Sequence, residues 1–357
     1  MSLYPMSELV VKELKEYQEQ MMKKKLTPNM KPTKEQFAFL LSGVSSTRIM
    51  PGIQKHMGYE KLFVCNHKDS KEARRHLRDF YHIEDKNSLE KCMKVFYRSH
   101  EEYLQFLPFW NQTSKFKIED LNPKIQIAFK NSMDYAALFY PIVKEKGFLA
   151  WDVNEIIGMY RKAYACGIIK EKDFWDKVNP LVERVQQVYD GFKDYAISLI
   201  CGAIYFNFRQ SHYEQQSQQV FKLQKHLVND LFSKLGVWNT YEWLGIEKKK
   251  FYLDPSKMKQ LLTNYEGPKG CIASDRIIVD GNKVGYMYRE ASLGEWDSGW
   301  RFLAGDESQA YLDDEKNVGV YLLNTLCNYD QEIIDFLDEE IGSVFVRRED
   351  HLLHKQK

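Results

Sequence analysis

The chain has 357 residues, 44% of them hydrophobic and 14% aromatic, including 22 Tyr and 21 Phe. That length suggests two or three domains, and that composition supplies a sizeable core. A generally disordered chain, a collagen, a coiled-coil rod and a disulfide-stapled miniprotein are excluded. The net charge of +1 hides a split: 1–265 carry 41 Lys+Arg against 31 Asp+Glu, and 266–357 carry 10 against 19, nets of +10 and −9.

At the N-terminus, acids and lysines interrupt the apolar positions from the start, unlike the basic, apolar, small-residue order of a signal peptide. Residues 1–25 read instead as an amphipathic helix carrying Leu9, Val10, Leu14 and Tyr17, broken by Pro28 and Pro32. Thr33 is placed to cap a helix over 34–41, and Pro51-Gly52 marks a turn. Asp69 or Ser70 can cap a helix running to Phe80, with Leu77 and Phe80 on one face. Ser88 can cap the next, which carries Leu89, Cys92, Met93 and Phe96. The clearest stripe is in 151–169: Val153, Ile156, Ile157, Tyr160, Tyr164 and Ile168, with Gly167 near the end. A short helix over 170–178 follows, and Pro180 reads as the start of another, with Val182, Val185, Tyr189 and Phe192. The run without charge over 195–208 is too short for a membrane span of about 20 residues and reads as a buried helix. Gln-rich 214–219 leads into a stripe at Val220, Leu223, Leu227 and Leu231. Residues 1–260 therefore read as mainly α.

Glu266-Gly267-Pro268-Lys269-Gly270 is turn chemistry, a natural entry to a second domain over 267–357. After it, strands dominate. Asp280-Gly281-Asn282 reads as a hairpin turn between strands over 276–279 and 283–288. The second of these places Val284, Tyr286 and Tyr288 on one side. Further strands are expected at 300–303 and 318–322, a helix at 330–337 and a last strand at 342–347. Helices followed by strands give a multidomain chain: a mainly α N-terminal region, then a small α+β domain with a largely antiparallel sheet.

Motifs for chemistry are sparse. The six cysteines, Cys65, Cys92, Cys166, Cys201, Cys271 and Cys327, include no C-x-x-C pair and read as small residues of a protein in a reducing cytoplasm. His56, His67, His76, His82 and His100 lack ligand spacing; His76 and His82 face different sides of a helix. No phosphate loop, dinucleotide fingerprint or nucleophile elbow occurs. Hence no catalytic residue, metal or cofactor is expected. The densest polar grouping is Arg289, Glu290, Glu295, Asp297, Ser298, Trp300, Arg301, Asp306 and Glu307, with Trp296 and Tyr286 beside it. It reads as a network of acids and arginines, as an acid–base site, or as a protein-recognition patch of aromatics with arginine.

Two resemblances follow from ordered motifs. Cys271-Ile272-Ala273-Ser274-Asp275-Arg276, Val279-Asp280-Gly281, Val284-Gly285-Tyr286-Met287-Tyr288-Arg289-Glu290, Asp297-Ser298-Gly299-Trp300-Arg301-Phe302, Gly305-Asp306-Glu307, Asn324-Thr325, Asp330 and Gly342-Ser343-Val344-Phe345 lie in order over about 267–350. Together they resemble immunity-protein family thirty-three of polymorphic toxin systems, a bacterial domain of unknown function. Trp151-Asp152, Arg161, Tyr164, Gly167-Ile168-Ile169 and Phe174-Trp175, over about 70–210, resemble a second bacterial domain of unknown function. The chain departs from that pattern at Asn154-Glu155.

The first resemblance implies a non-catalytic protein of toxin-immunity type, acting by occlusion through its acidic C-terminal domain. The implied partner is a protein, a basic toxin in the reading the −9 balance supports, with no membrane role. Two other readings compete. One is an enzyme or small-ligand binder using loops over 297–307. The other is nucleic-acid binding by the basic helical half.

Overall fold

The computed structural model describes residues 5–48, 50–53, 57–106, 120, 122–211, 214–254, 257–263, 265–294 and 296–356. The chain divides into two compact units, Met1–Ile246 and Glu247–Lys357. The boundary precedes the Gly/Pro turn by about twenty residues. The intervening segment bonds into the second unit: Tyr252 N–H donates to the Ile278 carbonyl (2.9 Å) and Leu261 N–H to Asn324 Oδ1 (2.7 Å). Moving the boundary transfers Lys248, Lys249 and Lys250 to the second unit. The charge split softens to +7 and −6, from 36 basic and 29 acidic residues against 15 and 21.

The first unit is helical: α1 (Pro5–Lys23), α2 (Lys34–Leu41), α3 (Gly43–Thr47), α4 (His67–Tyr81), α5 (Lys86–Phe96), α6 (Ser99–Phe106), α7 (Pro123–Val143), α8 (Leu149–Ala165), α9 (Glu171–Val188), α10 (Phe192–Ser211), α11 (Glu214–Leu231) and α12 (Val237–Thr240). Thr33 caps α2 through a reciprocal box with Gln36. The caps of α4 and α5 lie earlier than the sequence suggested. Asn66 Oδ1 accepts from Asp69 N–H, and Asp85 accepts from Ser88 N–H, so Ser88 completes a box as the third helical residue. Phe80 is exposed while Ala73 and Leu77 are buried. Pro180 does not start a helix but lies inside α9. That helix continues through it because Phe174, Val178, Val182 and Val185 stay on one buried stripe. The uncharged run at 195–208 lies in α10, whose Tyr195, Ala196, Leu199, Ile200 and Ile204 are fully buried in the core. Among the described residues no helix is long and apolar enough to cross a membrane.

The second unit follows β1 (Gly270–Ser274), α13 (Asp275–Ile278), β2 (Tyr286–Arg289), β3 (Asp297–Leu303), α14 (Gln309–Leu312), β4 (Val318–Leu322), α15 (Leu323–Tyr329), β5 (Val344–Arg347) and β6 (Leu353–Lys355). One six-stranded sheet runs β4-β1-β3-β2-β5-β6, antiparallel except for β1 beside β3. The expected hairpin at 276–289 is absent. Ser274 Oγ accepts from Arg276 N–H and starts a helical turn, which buries Ile277 and Ile278 together in the core. Val284 is not on the side of Tyr286 and Tyr288; it is buried with Met287, ahead of the strand. Residues 331–336 form a 3-10 turn. Cys271 and Ala273 of β1, Met287 of β2, Trp300 and Phe302 of β3 and Phe345 of β5 form one core with Ile277, Ile278, Leu323, Leu326, Ile333 and Leu337. These helical and turn segments therefore cover one face of the sheet.

Candidate functional site

Strand pairing fixes what the other face carries. Across it, Tyr286 pairs with Leu303 and Val346, Tyr288 with Arg301 and Val344, and Ile272 with Arg301 and Val320. Side chains alternate along a strand, so this row is opposite to Met287, Trp300, Phe302 and Phe345. Tyr286 and Tyr288 are half-buried, their rings 5.7 Å apart. A shallow groove of about 470 Å³ is lined by Tyr286, Leu303, Gly305, Glu307, Val346 and Arg348. At the far edge, β4 exposes Val320 at 62% and Leu322 at 59%. Leu322 pairs with Gly270, against which the half-exposed Trp296 ring lies.

The grouping expected in loops over 297–307 is mostly a central strand. Asp297, Ser298, Trp300 and Arg301 are buried in β3. Arg301 Nη1 and Nη2 donate to the two Asp297 oxygens (2.9 and 2.8 Å), and its Nε donates to Glu290 (2.6 Å). Asp297 also accepts from Leu293 and Gly299 N–H, at 2.9 and 3.0 Å. Arg301 beside it and these N–H groups hold its carboxyl down at about pKa 2, against the pull of burial. Ser298 Oγ donates to the Gly270 carbonyl, and Trp300 Nε1 to that of Leu337. Arg289 lies across the Trp300 ring (5.8 Å) and donates to the Ser298 and Glu339 carbonyls. These groups hold the strand in place and lie in β3, not in a loop. Glu307 accepts from Ala304 and Gly305 N–H, fixing the turn after β3, and Asp306 pairs with Arg276 in solvent (2.6 Å). Of the expected residues, the structure brings Tyr286 and Glu307 to the groove. Trp296, Glu290 and Asp306 are at the surface; Glu295 lies outside the described residues.

In the helical unit the singled-out residues are structural. Trp151 is buried against Phe206. Asp152 accepts from Ser99 and His100 N–H at the start of α6. Arg161, nearly fully buried, donates to Ser42 and Ser46 hydroxyls and to the Met57 and Gly58 carbonyls. Gly167, at φ 75°, ends α8 in a left-handed turn, and its carbonyl accepts from Arg74. Trp175 is half-buried against Phe39 and Phe174. The sequence reading missed Arg48, Glu155 and Lys162, which meet on one side of α8. The available signal was the Glu155/Lys162 spacing of seven within an apolar helix. Among the described residues no three His, Cys, Asp or Glu side chains converge as metal ligands.

Residues 271–357 match the Immunity protein Imm33 domain. They begin at β1 and take in the whole sheet. Residues 76–243 match a protein of unknown function, DUF1266. Both matches fall where the motifs placed them. The Imm33 match implies in general a protein partner, a toxin. No curated protein and no solved structure matches the chain.

Proposed function

We propose that the chain is a cytoplasmic, non-catalytic protein of toxin-immunity type, whose Imm33-like unit occludes a toxin by seating it on the sheet face without helices. The observation that carries this is the face itself. Within the matched region, Val320, Leu322 and Trp296 are exposed side by side, and Tyr288 and Tyr286 continue the row. Aromatic and aliphatic side chains of this kind serve as anchors at protein interfaces, and β4 beside them is an edge strand of the sheet. The net charge of −6 on this unit favours a basic partner surface and faster encounter with it. Occlusion requires no chemistry from the chain.

Survival tests this reading. Bacteria expressing toxin domains encoded in the same genome, one at a time, should be rescued from one of them by this chain. Failure to rescue from every such domain, with the chain folded and abundant, would exclude the immunity reading.

A further inference from the structure

The helical unit carries a second site. Glu155, Met159 and Lys162 of α8 stand at i, i+4 and i+7 and share one face. That face lines a cavity of about 170 Å³, closed by Ser45 and Arg48 at the end of α3, His76 and Tyr81 of α4, and Tyr97 just after α5. The volume equals that of about six liquid waters.

The wall sets donors beside the apolar Met50, Pro51 and Met159, and its carboxylate, Glu155, is already used. Arg48 Nη1 reaches both Glu155 oxygens, at 2.8 and 2.9 Å, and Asn154 Nδ2 donates to Glu155 at 2.8 Å. Asn154 Oδ1 accepts from Ser45 N–H (3.0 Å), tying α3 to α8. Arg48 is braced over the Trp151 ring. Lys162 is only 9% exposed and has no hydrogen-bond or ion-pair partner among the described residues. The Ser45 hydroxyl is buried and equally without a partner; it packs on the bare Cα of Gly158, where any Cβ would collide with it. Burial and Glu155 both oppose ionisation of Tyr81 and Tyr97, so their hydroxyls stay donors. Burial draws Lys162 down to about 8, with Glu155 opposing and Arg48 and Arg161 adding to the fall, which leaves it mainly protonated at neutral pH. An unpaired buried cation is costly to keep, whereas a bound anion would offset that cost. Arg161 does not line this cavity, and its two Nη groups are held by the hydroxyls and carbonyls named above.

We propose that this cavity binds a compact oxyanion, a phosphate or carboxylate group, with Lys162 as its counter-charge, Ser45, Tyr81 and Tyr97 as donors, and the Arg48–Glu155 pair as a fixed wall. The test titrates the full chain with inorganic phosphate and, separately, with acetate, at constant ionic strength set with chloride, by calorimetry and by melting. One saturable site per chain is expected, with a raised melting temperature. Lys162→Met should weaken binding about tenfold or more, a loss of about 1.4 kcal/mol. Tyr97→Phe should weaken it less. Without anion, Lys162→Met should melt at or above the wild-type temperature, since an unpaired buried charge has gone. Tighter phosphate assigns a phosphoryl group; tighter acetate assigns a carboxylate. Absence of saturable binding by both probes at millimolar concentration, or binding untouched by Lys162→Met, would overturn the proposal. So would a lower anion-free melting temperature of that variant, which would make Lys162 a structural cation.

Discussion

Replacing Asp297 by Ala probes the network in β3. The substitution removes the acceptor of two Arg301 hydrogen bonds and two backbone N–H groups, in a position with no exposed surface. Breaking a buried ion pair from one side costs about 3–5 kcal/mol. Arg301 keeps its half-exposed partner Glu290, which favours the lower end, about 3 kcal/mol. A unit of this size has a stability of roughly 5–15 kcal/mol, so the loss is a large share. With a urea slope of about 1.5 kcal/mol per molar, the midpoint of the second unit should fall by about 2 M. Hydrogen exchange over 297–303 in the full chain assigns the transition to this unit. Acid gives an independent check. The folded Asp297 carboxyl titrates at about 2 against 3.8 unfolded, so its contribution is complete above about pH 4 and is lost as pH falls towards 2. The wild type should lose about 2 kcal/mol across that interval that Asp297→Asn does not. Replacing the pair together, as Asp297→Leu with Arg301→Met, should cost less than Asp297→Ala alone. A midpoint shift below about 0.3 M for Asp297→Ala would show that the pair does not hold the strand, and would return 297–301 to consideration as a recognition surface.

Arg161→Lys should destabilise the helical unit by about 2 kcal/mol, read by urea unfolding, because an ammonium cannot span two hydroxyls and two carbonyls as the guanidinium fork does. A lysine variant as stable as the wild type would deny that role. Brief trypsin treatment should cut first within Lys248–Lys250, just past the unit boundary; mass spectrometry should find a fragment starting there, whereas first cutting at Lys269 would place the hinge at the Gly/Pro turn.

The helical unit was legible because its signals are local. The Thr33 cap marks α2 and apolar runs of Val, Ile and Tyr mark α8 and α10, and the capping errors were small: Asn66 and Asp85 took positions that Asp69, Ser70 and Ser88 could also have filled. The second unit was legible in class but less so in detail. Ile277-Ile278-Val279 carries β-branched side chains, yet Ser274 turns it into a helical cap, a tertiary outcome that propensity does not contain. β1 was hidden beside the turn at 266–270, since its partners lie in β3 and β4, far along the chain. Asp297 and Arg301 were legible as members of a network of acids and arginines but not as a pair inside a central strand, because their mutual neutralisation, four residues apart, depends on burial between β1 and β2. The resemblance in the helical half failed to fit at Asn154-Glu155, and there the structure places the polar wall of the α8 cavity.

Whether the proposed helix-free sheet face of the Imm33-like unit holds a toxin is decided by calorimetric titration of the toxin domain that the chain neutralises, into wild type and into Leu322→Glu. Leu322 is largely exposed on the edge strand, so the variant should melt within about 0.5 kcal/mol of the wild type. Binding by the wild type is expected, with a loss of at least about 2 kcal/mol, roughly thirtyfold, in the variant. Wild-type affinity in a stably folded Leu322→Glu chain, repeated in Tyr288→Ala, would contradict it.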